Sequence, residues 1–306
     1  MKDFLAITDY SPTELQGLLD LALELKKEIQ EKGANRPLLK GKSLGMIFQK
    51  PSLRTRVSFE RGMEQLGGYG MYIGPSEISL GKRESVADVA RVMSGYVDGI
   101  MARVFDHQHV VELAQWATIP VINGLSDYNH PCQAVGDALT IVEEYGTLKD
   151  INVSYVGDGN NVAVSLLHIC TKLGANFTIA TPADYTLPAD AVKTAEGFAK
   201  ASGSTITQLQ DPHQAVKEAN VIYTDTWTSM GQEEEAARRE KVFPPFQVNA
   251  GLVGEAKPDV IVMHCLPAHR NHEITDEVAD GPHSRLFPQA HNRMHGQKAI
   301  LAKLLG

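Results

Sequence analysis

Cysteine is scarce in this chain of 306 residues, and the three present, Cys132, Cys170 and Cys265, are odd in number and far apart. A disulfide framework is therefore excluded as the source of stability, and a reducing compartment is expected. Long apolar runs are also lacking. None approaches the roughly 18 residues of a membrane helix, and the opening Met-Lys-Asp-Phe-Leu-Ala-Ile-Thr-Asp has no signal-peptide core. Basic clusters stop at pairs such as Lys26-Lys27 and Arg238-Arg239, and the net charge is -8, which leaves no electrostatic footprint for nucleic acid. The expectation is a cytoplasmic protein with small-molecule partners, no nucleic acid and no membrane.

Several familiar chemical signatures are missing as well. No Gly-x-x-x-x-Gly-Lys-Ser/Thr loop occurs, so an ATPase reading has little support. Gly157-Asp158-Gly159-Asn160-Asn161-Val162 begins like a dinucleotide fingerprint but has Val162 where the third glycine belongs. The following apolar segment ends in Ala180-Thr181, with no acid for a ribose. His264, His269 and His272 lack the His-Glu-x-x-His spacing or a matching cysteine pair, so neither a metal nor another cofactor is expected.

What is present suits two α/β domains. The chain is 43% hydrophobic, and apolar strand-like runs near 43–48, 98–104, 119–123, 151–156, 176–181, 221–224 and 260–264 alternate with amphipathic segments. That alternation predicts two doubly wound domains, each a parallel sheet flanked by helices. Ser11-Pro12-Thr13-Glu14 is a capping box with proline at the first helical position, followed by the stripe Leu15, Leu18, Leu19, Ala22, Leu25, Ile29. A final helix is expected around 288–305.

The stretch from Phe48 to Phe59 puts Arg54 and Arg56 where a helix begins, with Ser52 as its cap. Helix N-termini carry partial positive charge, so cations there are unfavourable unless an anion sits between them. Ser52, Arg54, Thr55 and the first-turn N–H groups form an anion cradle on this reading. Against it stands the plainer view that both arginines are solvated, with Arg56 paired to Glu60 at i+4.

Three further loops follow strands. Asn129-His130-Pro131-Cys132-Gln133 offers His130 for a developing oxyanion and Gln133 for an amide, or simple helix caps. Asp225-Thr226-Trp227-Thr228-Ser229-Met230-Gly231 leaves a strand end carrying a carboxylate and a hydroxyl, where open sheets bind ligands. Glu233 to Glu235 beyond it read as the start of a helix. His264-Cys265-Leu266-Pro267 is the third such exit, read as shaping the pocket.

Ser-Leu-Arg-Thr-Arg, His-Pro-Cys-Gln, Asp-Thr-Trp-Thr-Ser-Met-Gly and His-Cys-Leu-Pro, in that order, resemble the carbamoyltransferase family over nearly the whole chain. The Ser-Met-Gly segment resembles the part specific to ornithine. The resemblance implies transfer of a carbamoyl group from carbamoyl phosphate to the δ-amine of L-ornithine, giving L-citrulline. It also implies a homotrimer or a higher multiple of one. Residues 1–146 with 288–306 would bind carbamoyl phosphate, and 147–287 would bind ornithine.

By motif position, Ser52, Leu53, Arg54, Thr55, Arg103, His130, Gln133, Cys265, Leu266 and Arg293 would hold carbamoyl phosphate. Asn161, Asp225, Ser229 and Met230 would hold ornithine. Arg54, Arg103, His130, Asp225 and Cys265 would carry the catalytic roles. Two departures stand out. Leu53 replaces the usual threonine at a position thought to supply a backbone N–H, and Ser79 aligns with a glutamine that in relatives reaches a neighbouring subunit. Lys82 is the alternative for that contact.

Overall fold

The computed structural model describes residues 2–229 and 231–306. The chain divides into two compact units, one running to Leu139 with His291–Gly306 added, the other Thr140–Ala290.

The N-terminal segments are helix α1 (Pro12–Lys32), strand β1 (Ser43–Phe48), α2 (Leu53–Gln65), β2 (Tyr69–Ile73), α3 (Pro75–Ile78) and α4 (Val86–Ser94). Next come β3 (Gly99–Arg103), α5 (His107–Trp116), β4 (Val121–Leu125) and α6 (Pro131–Tyr145). The first sheet has the order β2-β1-β3-β4 and is parallel throughout. Strands β3 and β4 are buried along their whole length and apolar apart from Arg103 and Asn123, as a sheet covered on both faces requires. The predicted capping box closes α1. Ser11 N–H donates to Glu14 Oε2 at 2.9 Å, and Glu14 N–H donates to Ser11 Oγ at 3.2 Å. Leu15, Leu18, Leu19, Ala22 and Leu25 are buried behind it.

The second unit carries β5 (Asn152–Val156), α7 (Asn161–Lys172), β6 (Asn176–Ala180), α8 (Ala189–Ser202), β7 (Ile206–Leu209) and α9 (Pro212–Val216). After these come β8 (Val221–Thr224), α10 (Ala236–Val242), α11 (Ala250–Val253), β9 (Ile261–His264), α12 (Asp276–Ala279) and α13 (Leu286–Leu305). The second sheet, β7-β6-β5-β8-β9, is again parallel. All seven anticipated strands are present. The two not anticipated, β2 and β7, are partly exposed edge strands; β7 lacks an apolar run, and Gly70 breaks into the short one of β2. From His291 onward α13 belongs to the first unit, where Lys298 is buried with its Nζ donating to Asn35 Oδ1 at 2.7 Å and Gln65 Oε1 at 2.9 Å.

Candidate active site

In the first unit the candidate residues collect at the carboxyl ends of β1, β3 and β4. Ser52 caps α2: its Oγ accepts from Thr55 N–H at 3.3 Å and donates to Thr55 Oγ1 at 3.1 Å. No acid occupies the first turn of α2, so its positive end is uncompensated by the helix itself. Arg293, far along the chain on α13, donates from Nη2 to Thr55 Oγ1 at 2.8 Å. It brings a second guanidinium to the cradle. The two sequence arginines part company here. Arg56 is exposed, pairs with Glu60 Oε1 at 3.0 Å and stacks 4.1 Å over Tyr72, so the plain reading holds for it. Arg54 is half-buried, and its Nε is a buried donor with no partner among the described residues. Leu53 turns its side chain to solvent, leaving only its backbone for the cradle.

Arg103 ends β3 and is buried, as is His130 just before α6. Burial, reinforced by the charges of Arg293 and Arg103, holds the His130 imidazole well below its ordinary pKa. His130 is therefore neutral at physiological pH and fit to donate one hydrogen bond without carrying a proton into the site. Its backbone carbonyl accepts from Gln133 N–H at 3.1 Å at the start of α6. The Gln133 amide is set by Asp137, to which Nε2 donates at 2.7 Å. Oε1 is buried and unpaired among the described residues. Ser79 lies in the left-handed region with φ 46°, and its hydroxyl donates back to Pro75 O at 3.3 Å. Lys82 is exposed beside it.

In the second unit Asp225 follows β8 and is held on both oxygens. Oδ1 accepts from Thr226 N–H at 2.8 Å and from Cys265 Sγ at 3.0 Å, and Oδ2 accepts from Asn160 Nδ2 at 2.8 Å. Asn160 caps α7 through Oδ1, so one side chain both starts the helix that carries Asn161 and aims the carboxylate. Sequence reasoning placed Asn161 in the site but not this role of Asn160. Cys265 and Leu266, grouped by motif with carbamoyl phosphate, belong to this unit with Asp225. Ser229 is half-buried in the loop beyond Asp225, and Met230 lies outside the described residues.

The glycines of the broken fingerprint have a structural reason. Gly157 has φ 143°, and a Cβ on Gly159 would lie 2.5 Å from Leu187 N. Asp225, His264 and Cys265 bring ligand atoms within 4.8 Å of one another. Both nitrogens of His264 are nevertheless engaged: Nδ1 accepts from Leu266 N–H at 2.9 Å, and Nε2 faces Glu273 Oε1 at 3.0 Å.

A further residue that sequence reasoning missed is Arg239. It was one of the basic pairs, four residues after Glu235. It is buried, and its Nη1 donates to Asp158 Oδ2 at 2.8 Å and to Trp227 O at 2.7 Å, while Nε donates to Glu235 Oε2 at 3.0 Å. Arg239 thus grips both ends of the loop that carries Ser229. Burial raises the Asp158 carboxyl to about 6, the charge of Arg239 opposing it.

Family models cover both units. Residues 2–143 match the carbamoyl-P binding domain of aspartate/ornithine carbamoyltransferase, and residues 149–304 match its Asp/Orn binding domain. The chain belongs to the aspartate/ornithine carbamoyltransferase family. Within that family it is 54% identical over 305 residues to the ornithine carbamoyltransferase of Thermococcus kodakarensis, covering 100% of this chain and 96% of the relative. It is 52% identical to that of Bacillus subtilis, with 99% and 94% covered. Among solved structures, ornithine carbamoyltransferase from Pyrococcus furiosus superposes with a TM-score of 0.96 at 54% identity, covering 100% of this chain and 97% of that one. The two doubly wound domains expected from sequence are the fold of this family.

Proposed function

We propose that this carbamoyltransferase moves the carbamoyl group of carbamoyl phosphate to the δ-amine of L-ornithine, giving L-citrulline and phosphate. The observation that carries the reading is the acid-free start of α2, where Ser52, Thr55 and Arg293 form one hydrogen-bonded chain beside buried Arg103 and neutral His130. Such a set suits a phosphate dianion and a polarised carbonyl oxygen. The donor is already an activated anhydride, so the residues mainly orient and stabilise charge. Ser52, Leu53 N–H, Arg54, Thr55 and Arg293 hold the phosphate. Arg103, His130 and Thr55 polarise the carbonyl, and Gln133 meets the carbamoyl amide.

On the acceptor side, Asp225 pairs with the α-ammonium while Asn161, Ser229 and Met230 complete the ornithine contacts. Cys265 and Leu266 shape the reacting end. As the C–N bond forms, the C–O bond to phosphate breaks with its electron pair leaving on phosphate, and the departing phosphate takes the proton shed by the amine. No cofactor or metal takes part in these steps. We further read residues 1–146 with 288–306 as the carbamoyl phosphate domain and 147–287 as the ornithine domain. The enzyme is read as a homotrimer, or a multiple of one, in the cytoplasm. No described helix is long and apolar enough to cross a membrane.

The test is citrulline formation by the purified protein, run beside aspartate, putrescine and N-acetylornithine as acceptors, with Arg54→Ala and Asp225→Asn variants. Arg54→Ala should lose at least about 2.7–4 kcal/mol of transition-state stabilisation. Asp225→Asn should raise the ornithine KM. Citrulline from neither parent nor variants would refute the proposal, and preferential use of another amine would relocate the error to Asp225–Met230.

A further inference from the structure

Gln49 sits just past the end of β1, three residues before the Ser52 cap. The β1–β3 ladder pairs Phe48 with Arg103, and Gln49 N–H adds one rung to Arg103 O at 2.8 Å. The next rung is made by a side chain. Gln49 Oε1 accepts from Phe105 N–H at 3.0 Å, while Nε2 of the same amide donates to Leu80 O at 3.0 Å. The His109 ring lies alongside, with Nδ1 3.3 Å from Gln49 Nε2. Its other nitrogen presses on Gly81, where an added Cβ would come within 2.8 Å. Leu80 is buried, whereas Lys82 and Arg83 beyond it are exposed.

One amide plane therefore joins three segments: the exit of β1 leading to Ser52–Thr55, the exit of β3 leading from Arg103, and the turn at 78–85. Both oxygen and nitrogen are used, so neither a carboxylate nor an aliphatic side chain can replace both bonds. We propose that Gln49 is a positioning residue of the phosphate half-site, setting the spacing between the α2 cradle and Arg103 and clamping the turn that displays Lys82 and Arg83. The inference rests on the function proposed above, because it takes that cradle to be the phosphate site. Gln49 itself touches no substrate.

Gln49→Met keeps the length and bulk of the side chain and removes both hydrogen bonds. Gln49→Glu keeps the acceptor for Phe105 N–H but opposes Leu80 O with a second acceptor. Each lost bond of this kind shifts an equilibrium by up to about tenfold. Four quantities are read on each full-length variant: carbamoyl phosphate KM and kcat at saturating ornithine, inorganic phosphate Kd by calorimetry, and the rate of tryptic cleavage after Lys82 and Arg83. The expected result for Gln49→Met is a KM and a phosphate Kd both raised about tenfold, with kcat within threefold of the parent and faster cleavage. Gln49→Glu should share the faster cleavage even if Gln49→Met fails to fold.

A KM and Kd within twofold of the parent would overturn the proposal. So would a fall in kcat with both unchanged, which marks a loss of folded enzyme instead. Parent protein that makes no citrulline would refute the proposed function, while calorimetry and proteolysis would still decide the role of Gln49.

Discussion

Replacing Arg239 with methionine keeps an unbranched apolar stem and removes the guanidinium, with its hydrogen bonds and its place 4.6 Å over Tyr185 and 5.8 Å over Phe243. Breaking a buried ion pair from one side costs about 3–5 kcal/mol, and Asp158 offsets part of that by taking up a proton. The share invested in the loop comes from two contacts. The bond to the Trp227 carbonyl is charge-assisted and buried, worth about 1.5–3 kcal/mol. The contact with Glu235, whose side chain is 55% exposed, adds about 0–1 kcal/mol. Without these, ornithine must order the Ser229 loop as it binds, and apparent affinity falls with the competent fraction. At 1.4 kcal/mol per tenfold, the roughly 1.5–4 kcal/mol of the two contacts should raise the ornithine KM roughly 10- to 700-fold. The carbamoyl phosphate KM should move less than about threefold, since its assigned residues in the first unit are untouched. The assay is steady-state citrulline formation with each substrate varied at saturation of the other, on protein shown to be folded. An ornithine KM within threefold of the parent, from a folded variant, would refute the loop role of Arg239.

Other outcomes follow from the same geometry. With its folded pKa near 6 against about 3.9 unfolded, Asp158 binds more protons folded than unfolded between those values. Its contribution to stability is thus greatest below about pH 4, lost as pH rises through about 6, and flat above. Denaturant titrations of parent and Asp158→Asn should differ in slope over that window by up to about 3 kcal/mol in total, and parallel profiles would contradict it. Arg293→Gln removes the charge that meets Thr55 and should raise the carbamoyl phosphate KM at least tenfold while leaving stability near that of the parent, checked by kinetics and thermal melting together. Ser11→Ala opens the capping box of α1 and should cost about 0.5–2 kcal/mol by denaturant titration, with both KM values unchanged. Activity should climb with pH from 7 toward 9, because an alkyl amine with a pKa of roughly 10 is mostly protonated at neutrality; a flat profile would place the limiting step elsewhere.

The parts of this protein legible in its residues are those set by neighbours in sequence. The seven apolar strands, the capping box of α1 and the cap at Ser52 follow from local pattern and from hydrogen bonds spanning a few residues. So does the choice of the loops proposed to carry chemistry, because ligand groups gather at strand exits and the motifs there are short. Two strands escaped, β2 and β7, both partly exposed at sheet edges. Ile206-Thr-Gln-Leu209 is half-exposed and held by one neighbour, and no apolar run announces it. The fate of the two arginines was beyond sequence as well: Arg54 and Arg56 differ only in which side of α2 they face. What tertiary structure alone decided are the pairings across long separations. Arg293 reaches Thr55 across 238 positions, Arg239 grips Asp158 across 81, and Gln49 joins Leu80 to Phe105. Such contacts depend on where folded strands and helices deliver side chains in space, and no local periodicity encodes that.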